Sequence, residues 1–263
     1  MDPQKRPQGI LQIKDLVESS FQARFEDGRG MQAASAAVLL AEQNPAVPGD
    51  LRAAAWTQFG NALRFSGKFR QAEAALAKAF GFLTAESDPR TRANLLEIWS
   101  SLHRAQGRFA KSEDCLVQAI EIHKNLGDSQ AEARDLILLG ISCYDESHFD
   151  RAATAYHRVL SVLDETSDSL LYVSACHGLI DTLWAAGRSK VAASAMTIAE
   201  PVFDTVSETH LVGKITWLKA RIHLALGDKT QAVKAYSEAR KLLNELADVD
   251  LEVLEAEIAA AAE

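Results

Sequence analysis

Residues 56–79 read WTQFGNALRFSGKFRQAEAALAKA. Trp56, Phe59, Gly60 and Leu63 recur at helical spacing. Gly67 interrupts the pattern, and Phe69, Ala72, Leu76 and Ala79 resume it. Periodicity of this kind predicts a helix, a glycine turn and a second helix. The mark at the turn returns along the chain. Gly67-Lys68-Phe69, Gly107-Arg108-Phe109, Ser147-His148-Phe149 and Gly187-Arg188-Ser189 start 40 residues apart, and Gly227-Asp228-Lys229 makes a fifth. A fixed period of this size predicts stacked repeats and shifts the expected function from catalysis to binding along an extended surface.

Other columns keep the period. Five residues after each turn stand Ala72, Ser112, Ala152, Ala192 and Ala232. Nine after stand Leu76, Leu116, Tyr156, Met196 and Tyr236. Twelve after stand Ala79, Ala119, Val159, Ala199 and Ala239, and seven before stand Gly60, Ser100, Gly140, Ile180 and Ala220. Small residues at a crossing let two helix backbones approach, and large neighbours fill the gap. Asp88, Asp128, Asp168, Glu208 and Asp248 form an acidic column where a helix start needs acceptors, and Pro89 suits the first helical position.

These residues resemble the tetratricopeptide repeat, with the unit from Trp56 to Ala79 following the family pattern most closely. The resemblance covers about residues 50 to 247. Lys219 stands where the family has an apolar residue, Ser189 and Lys229 replace the aromatic after the turn, the closing Pro is absent and the period is 40. The long period is similar to variants in bacterial regulatory proteins and to the helical sensor region of large ATP-dependent transcription activators. The resemblance implies an all-α fold, a right-handed α-α superhelix or solenoid of stacked helical hairpins. Residues 1–9 are expected as a disordered tail and 10–262 as a single solenoid. Within it, 10–49 form a degenerate first repeat, 50–247 five repeats of 40 residues and 248–262 a C-terminal capping helix. In that last helix Leu251, Leu254 and Ile258 are expected to face inward, and Glu252, Glu255 and Glu257 to face water. Pro201 predicts a kink or an early end in its helix.

The net charge of −8 argues against bulk attraction to nucleic acid or an anionic membrane. Cys115, Cys143 and Cys176 are an odd count without CxxC spacing, which predicts a reducing compartment and no disulfide framework. The polar start, Met1 to Gly9, and the lack of a long apolar run predict a cytoplasmic protein. No GxxxxGK, GxSxG or HExxH occurs. His103 and His223 fall at core-facing positions, and His177 with Asp181 lacks the further ligands zinc needs. No catalytic residue, cofactor or metal site is expected, and the chain is read as a non-enzyme.

By the resemblance, the first helix of each unit lines a concave groove. Arg64, Arg104, Tyr144, Trp184 and Leu224 lie three residues before the turns. Asn61, Ser101, Ile141, Asp181 and Arg221 lie six before, and Thr57, Glu97, Ile137, His177 and Trp217 ten before. Asn94 and Arg134 join the early polar end. Arginine suits carboxylates and aromatics make buried anchors. The candidate partner-binding residues are therefore Asn61, Arg64, Asn94, Arg104, Arg134, Tyr144, His177, Asp181, Trp184, Trp217 and Arg221. Their expected occupant is a protein or peptide with an acidic end and an apolar end. The clamp by which some relatives grip a C-terminal carboxylate is not intact: Asn61 and Arg134 fill two of its places, but Thr57, Ile98 and Leu138 fill the others. The leading reading is a protein-binding scaffold in bacterial regulation or complex assembly. The alternative is a ligand-sensing regulatory domain in which a small molecule in the groove controls partner binding, and self-association through the outer or end surfaces stays open.

Overall fold

The computed structural model describes residues 5–23, 28–163, 169–244 and 251–262. Among these residues every regular element is a helix. Helices pair in order: α1 (Lys5–Gln22) with α2 (Arg29–Gln43), α3 (Gly49–Phe65) with α4 (Phe69–Phe80), α5 (Pro89–Ala105) with α6 (Phe109–Asn125), and α7 (Ser129–Asp145) with α8 (Phe149–Val162). Then follow α9 (Ser169–Ala185) with α10 (Ser189–Phe203), α11 (Thr209–Ala225) with α12 (Lys229–Leu243), and α13 (Leu251–Ala262). The contacts group into two compact units, residues 1–135 and 136–263, and the division falls within α7. Helix α1 begins at Lys5, so part of the expected N-terminal tail is helical. Its Pro7 sits in the first turn, where a helix does not need the missing N–H. Helix α10 runs two residues past Pro201, since a proline in a last turn removes only one terminal hydrogen bond.

The five turn positions share one conformation. Gly67, Gly107, Gly187 and Gly227 have φ between 69° and 85°, and Ser147 adopts φ 61° in the same place. At each, the turn residue N–H bonds the carbonyl three back and the next N–H bonds the carbonyl five back. Gly67 to Arg64 with Lys68 to Leu63, and Ser147 to Tyr144 with His148 to Cys143, are two instances. This closes the last carbonyls of the first helix and reverses the chain into the second. Two of the three described members of the acidic column cap: Asp88 accepts from the Arg90 N–H and Asp128 from the Ala131 N–H. Glu208 makes no such bond, because the longer side chain does not fold back on its own helix start. Asp168 and Asp248 lie outside the described residues.

The repeat columns form the core. Ala72, Ser112, Ala152, Ala192 and Ala232 are fully buried, as are Ala79, Ala119, Val159 and Ala239. In unit 2 the Tyr156 ring is wedged between two helices. A Cβ on Gly140 would lie 2.7 Å from the Tyr156 Cζ, and one on Gly178 would lie 2.5 Å from it. Only glycine on α7 and α9 admits the ring. Ile180 replaces a small residue of that column and packs in the same cluster as Met196, Phe203 and Leu218. Cys143 and Cys176 are buried, Cys115 is partly exposed, and none of the three is in a disulfide.

Candidate functional site

First helices of successive hairpins make the walls of two cavities, one in each unit. In unit 1, α1, α3, α5 and the start of α7 enclose about 560 Å³ lined by Phe21, Thr57, Gln58, Asn94, Glu97 and Arg134, among others. The buried Gln58 Oε1 has no hydrogen-bond partner, so the wall carries an acceptor that a ligand donor can satisfy. Asn94 and Arg134 are exposed. Asn61 and Arg64 meet further along: Arg64 donates to Asn61 Oδ1 at 2.9 and 3.2 Å and stacks on Phe65 at 4.0 Å. Burial and then the neighbouring Arg104 lower Arg64 to about 10.

Behind this cavity lies a polar cluster that no column signals. His123 Nδ1 is 2.8 Å from Asp135 Oδ2, and both side chains are almost fully buried. The Glu97 carboxyl is within hydrogen-bonding range of Asp135. Burial, and then the charge of Glu97, raise Asp135. Burial raises Glu97, with Arg134 pulling against it. Burial also lowers His123. Glu97, His123 and Asp135 come from α5, α6 and α7 with no shared offset, so their meeting is invisible in the sequence. His103, in contrast, is buried and stacks on Trp99, but its Nδ1 has no partner. His223, expected in the core, is half-exposed near Asp228.

In unit 2, α7, α8, α9 and α11 enclose about 410 Å³. Ile137, Ile141, Val173, Leu211 and Ile215 give apolar walls, and Tyr144, His177, Asp181 and Lys214 give polar points. Tyr144 hydrogen-bonds Asp181, and burial followed by the Asp181 charge raises its phenol to about 12. His177 is hydrogen-bonded to the Lys214 backbone, and burial lowers its pKa, with Asp181 pulling the other way. The imidazole is therefore a neutral polar point in an apolar wall.

Trp184, Trp217 and Arg221 also come together, but on the chain's own last helix. The Arg221 guanidinium lies 4.7 Å from the Trp184 ring centre and 4.5 Å from that of Trp217. It donates to Glu257 at 2.8 to 3.2 Å and to Asp181 at 3.4 Å. Trp217 Nε1 donates to Glu257 at 2.7 Å, and Tyr236 Oη at 3.1 Å. Glu257, expected to face water, is thus turned inward. Four donor groups from α11 and α12 converge there and compensate its desolvation. Burial disfavours the Glu257 charge, but the bonds from Arg221 and Trp217 outweigh it and hold the carboxylate below 4.5.

The tetratricopeptide repeat family model matches residues 91–165, which span α5 to α8. These hairpins are tetratricopeptide repeats. No curated protein matches the chain in sequence. Solved structures share the fold of these repeats at low identity. Apo RapI superposes with a TM-score of 0.73 at 14% identity, over 95% of this chain and 67% of its own. BtubC from P. vanneervenii gives 0.67 at 16%, over 90% and 93%. A Rap protein complexed with competence and sporulation factor gives 0.64 at 12%, over 90% and 66%. None of the helices searched among the described residues is long and apolar enough to cross a membrane.

Proposed function

We propose that this tetratricopeptide-repeat chain is a non-enzymatic binding module that holds a peptide, or an extended segment of a protein, against its first helices, in bacterial regulation or complex assembly. The observation that carries the reading is the unit 2 cavity. Three first helices supply a preformed apolar trough of about 410 Å³ with Tyr144, His177, Asp181 and Lys214 at its edge. Preformed walls spare a ligand the cost of ordering its site. Alternating apolar and polar points suit a peptide, whose side chains fill the trough while its amides meet the polar groups. The solved Rap protein named as a complex with competence and sporulation factor supports the reading by analogy of fold. Trp184, Trp217 and Arg221 serve the attachment of α13 in this reading, so the expected anchors narrow to Tyr144, His177 and Asp181 with Ile137 and Ile141. A trough of this volume also falls in the range that takes a small molecule.

Selection of peptides from a displayed random library tests the reading, followed by affinities for purified variants. Ile141→Glu places a charge in the trough and is expected to weaken the selected peptides at least tenfold, on the order of a central anchor loss. Ile198→Glu, at a position 79% exposed on α10, is expected to leave them unchanged. Equal binding by both variants would move the interface off the first helices. Failure to select any peptide, with saturable binding of a metabolite, would replace this reading by the ligand-sensing one.

A further inference from the structure

The buried cluster in unit 1 has a composition that packing does not explain. Glu97, His123 and Asp135 each offer a ligand atom, and the three atoms lie within 4.8 Å of one another. Asp135 is fully buried, and its Oδ1 has no N–H or hydroxyl partner, while the Glu97 carboxyl within reach of Asp135 can donate only when protonated. Leaving a buried carboxylate oxygen without a donor is costly, so native structures rarely keep one without a purpose. Two facing carboxyl groups share a contact only through a proton or a cation.

The charges around the cluster add a second, independent constraint. Glu97, Asp128, Glu132 and Asp135 face it with Arg90 and Arg134. Arg90 Nε lies 3.6 Å from Asp128 Oδ2. Ionising Glu97 and Asp135 together needs positive charge that two guanidiniums, one of them already paired with Asp128, do not provide, and a divalent cation would provide it. Arg134 is exposed, so its head can move outward if a cation enters.

We propose that Glu97, His123 and Asp135 bind a divalent transition-metal cation and thereby pin α5, α6 and α7 together. One imidazole nitrogen and two carboxylate oxygens are common ligands of zinc at about 2.0–2.2 Å. Adjacent ligand atoms of a four-coordinate shell at these bond lengths lie about 3.3–3.6 Å apart, so Nδ1 of His123 and Oδ2 of Asp135, now hydrogen-bonded at 2.8 Å, would part slightly and release the proton between them as an ion enters. Glu97 belongs to both the cluster and the wall of the 560 Å³ cavity, so an ion has a path in and its remaining positions face that cavity. The three protein ligands leave room for water or a partner's donor at the fourth position. This site is independent of peptide binding in unit 2, and it departs from the expectation, drawn from histidine and cysteine spacing, that no metal binds.

Equilibrium dialysis of the metal-free full chain against Zn²⁺, with the ion counted by mass spectrometry, tests it. One Zn²⁺ per chain is expected, with affinity falling at least 100-fold in Asp135→Asn and in Glu97→Gln. Thermal unfolding of the intact chain is expected to rise on Zn²⁺ addition and to stay unmoved in Glu97→Gln. Circular dichroism checks that each variant is folded; Glu97→Gln, at the cavity wall, decides the matter if Asp135→Asn is not. Co²⁺ in place of Zn²⁺ is expected to give visible bands of nitrogen and oxygen ligation without thiolate charge transfer. Absence of Zn²⁺ binding would overturn the proposal. So would binding retained at full affinity in Glu97→Gln, which means an adventitious ion only.

Discussion

Trp217 Nε1 lies 2.7 Å from Glu257 Oε2, across 40 residues of chain, and this bond fastens α13 to the inner side of α11. Arg221 and Tyr236 hold the same carboxylate. Glu257→Ala leaves the half-buried guanidinium without its main partner. The expected loss is about 2 kcal/mol, since charged hydrogen bonds are worth about 1.5–3 and partial exposure trims the ion pair. Urea unfolding measures it, and an Arg221→Met, Glu257→Ala double-mutant cycle isolates the coupling.

The same carboxylate sets a pH dependence. Folding holds the Glu257 pKa below its ordinary 4.5, so the folded chain takes up this proton less readily than the unfolded chain. Its contribution is fully present above about pH 4.5 and is lost as the pH falls through the folded value. Wild type is expected to melt roughly 2–4 °C above Glu257→Gln at pH 7, with the gap closing as the pH falls below 4.5. A gap that is constant with pH would place the effect outside the ionised carboxylate.

Tyr156 occupies space that Gly140 and Gly178 leave open. Gly140→Ala puts a methyl group 2.7 Å from the ring, closer than packed atoms approach. Overpacking of this kind costs about 1–3 kcal/mol. Adding Tyr156→Ala, which removes the ring that the methyl group meets, is expected to cost less than the two single changes summed. Denaturant midpoints of the two single variants and the double variant give the answer.

Ser147 adopts φ 61° where the other four turns carry glycine. A left-handed conformation costs an ordinary residue about 1–2 kcal/mol, and glycine loses part of that gain through its freer unfolded state. Ser147→Gly is therefore expected to stabilise the chain by about 0.5–1 kcal/mol. Unfolding at a lower denaturant concentration than wild type would contradict the turn assignment.

The hairpins were legible because the period repeats one packing problem five times. Ala72 and its four counterparts are buried for the same reason, and Gly67 and Ser147 turn in the same way. The first-helix columns also located the cavity walls, since Thr57, Glu97, Ile137 and His177 share one offset from their turns. What the period does not carry was not legible. Glu257 is the exception: it stands one 40-residue period after Trp217 and continues the column of Thr57, Glu97, Ile137 and His177, and only the charge pattern of α13 taken alone sends it to water. Gly178 stands outside the columns, and its role appears only when Tyr156 is in place. Glu97, His123 and Asp135 meet through the packing of three helices, with no interval in the chain to signal them.

The central claim is that the first helices of unit 2 receive a peptide. Hydrogen–deuterium exchange of the full chain, with and without a saturating selected peptide, tests it most directly. The account predicts new protection in α7, α9 and α11 around Ile141, His177 and Lys214, with α10 and α12 unchanged. Protection confined to α8, α10 and α12, with the first helices unaffected, would contradict it.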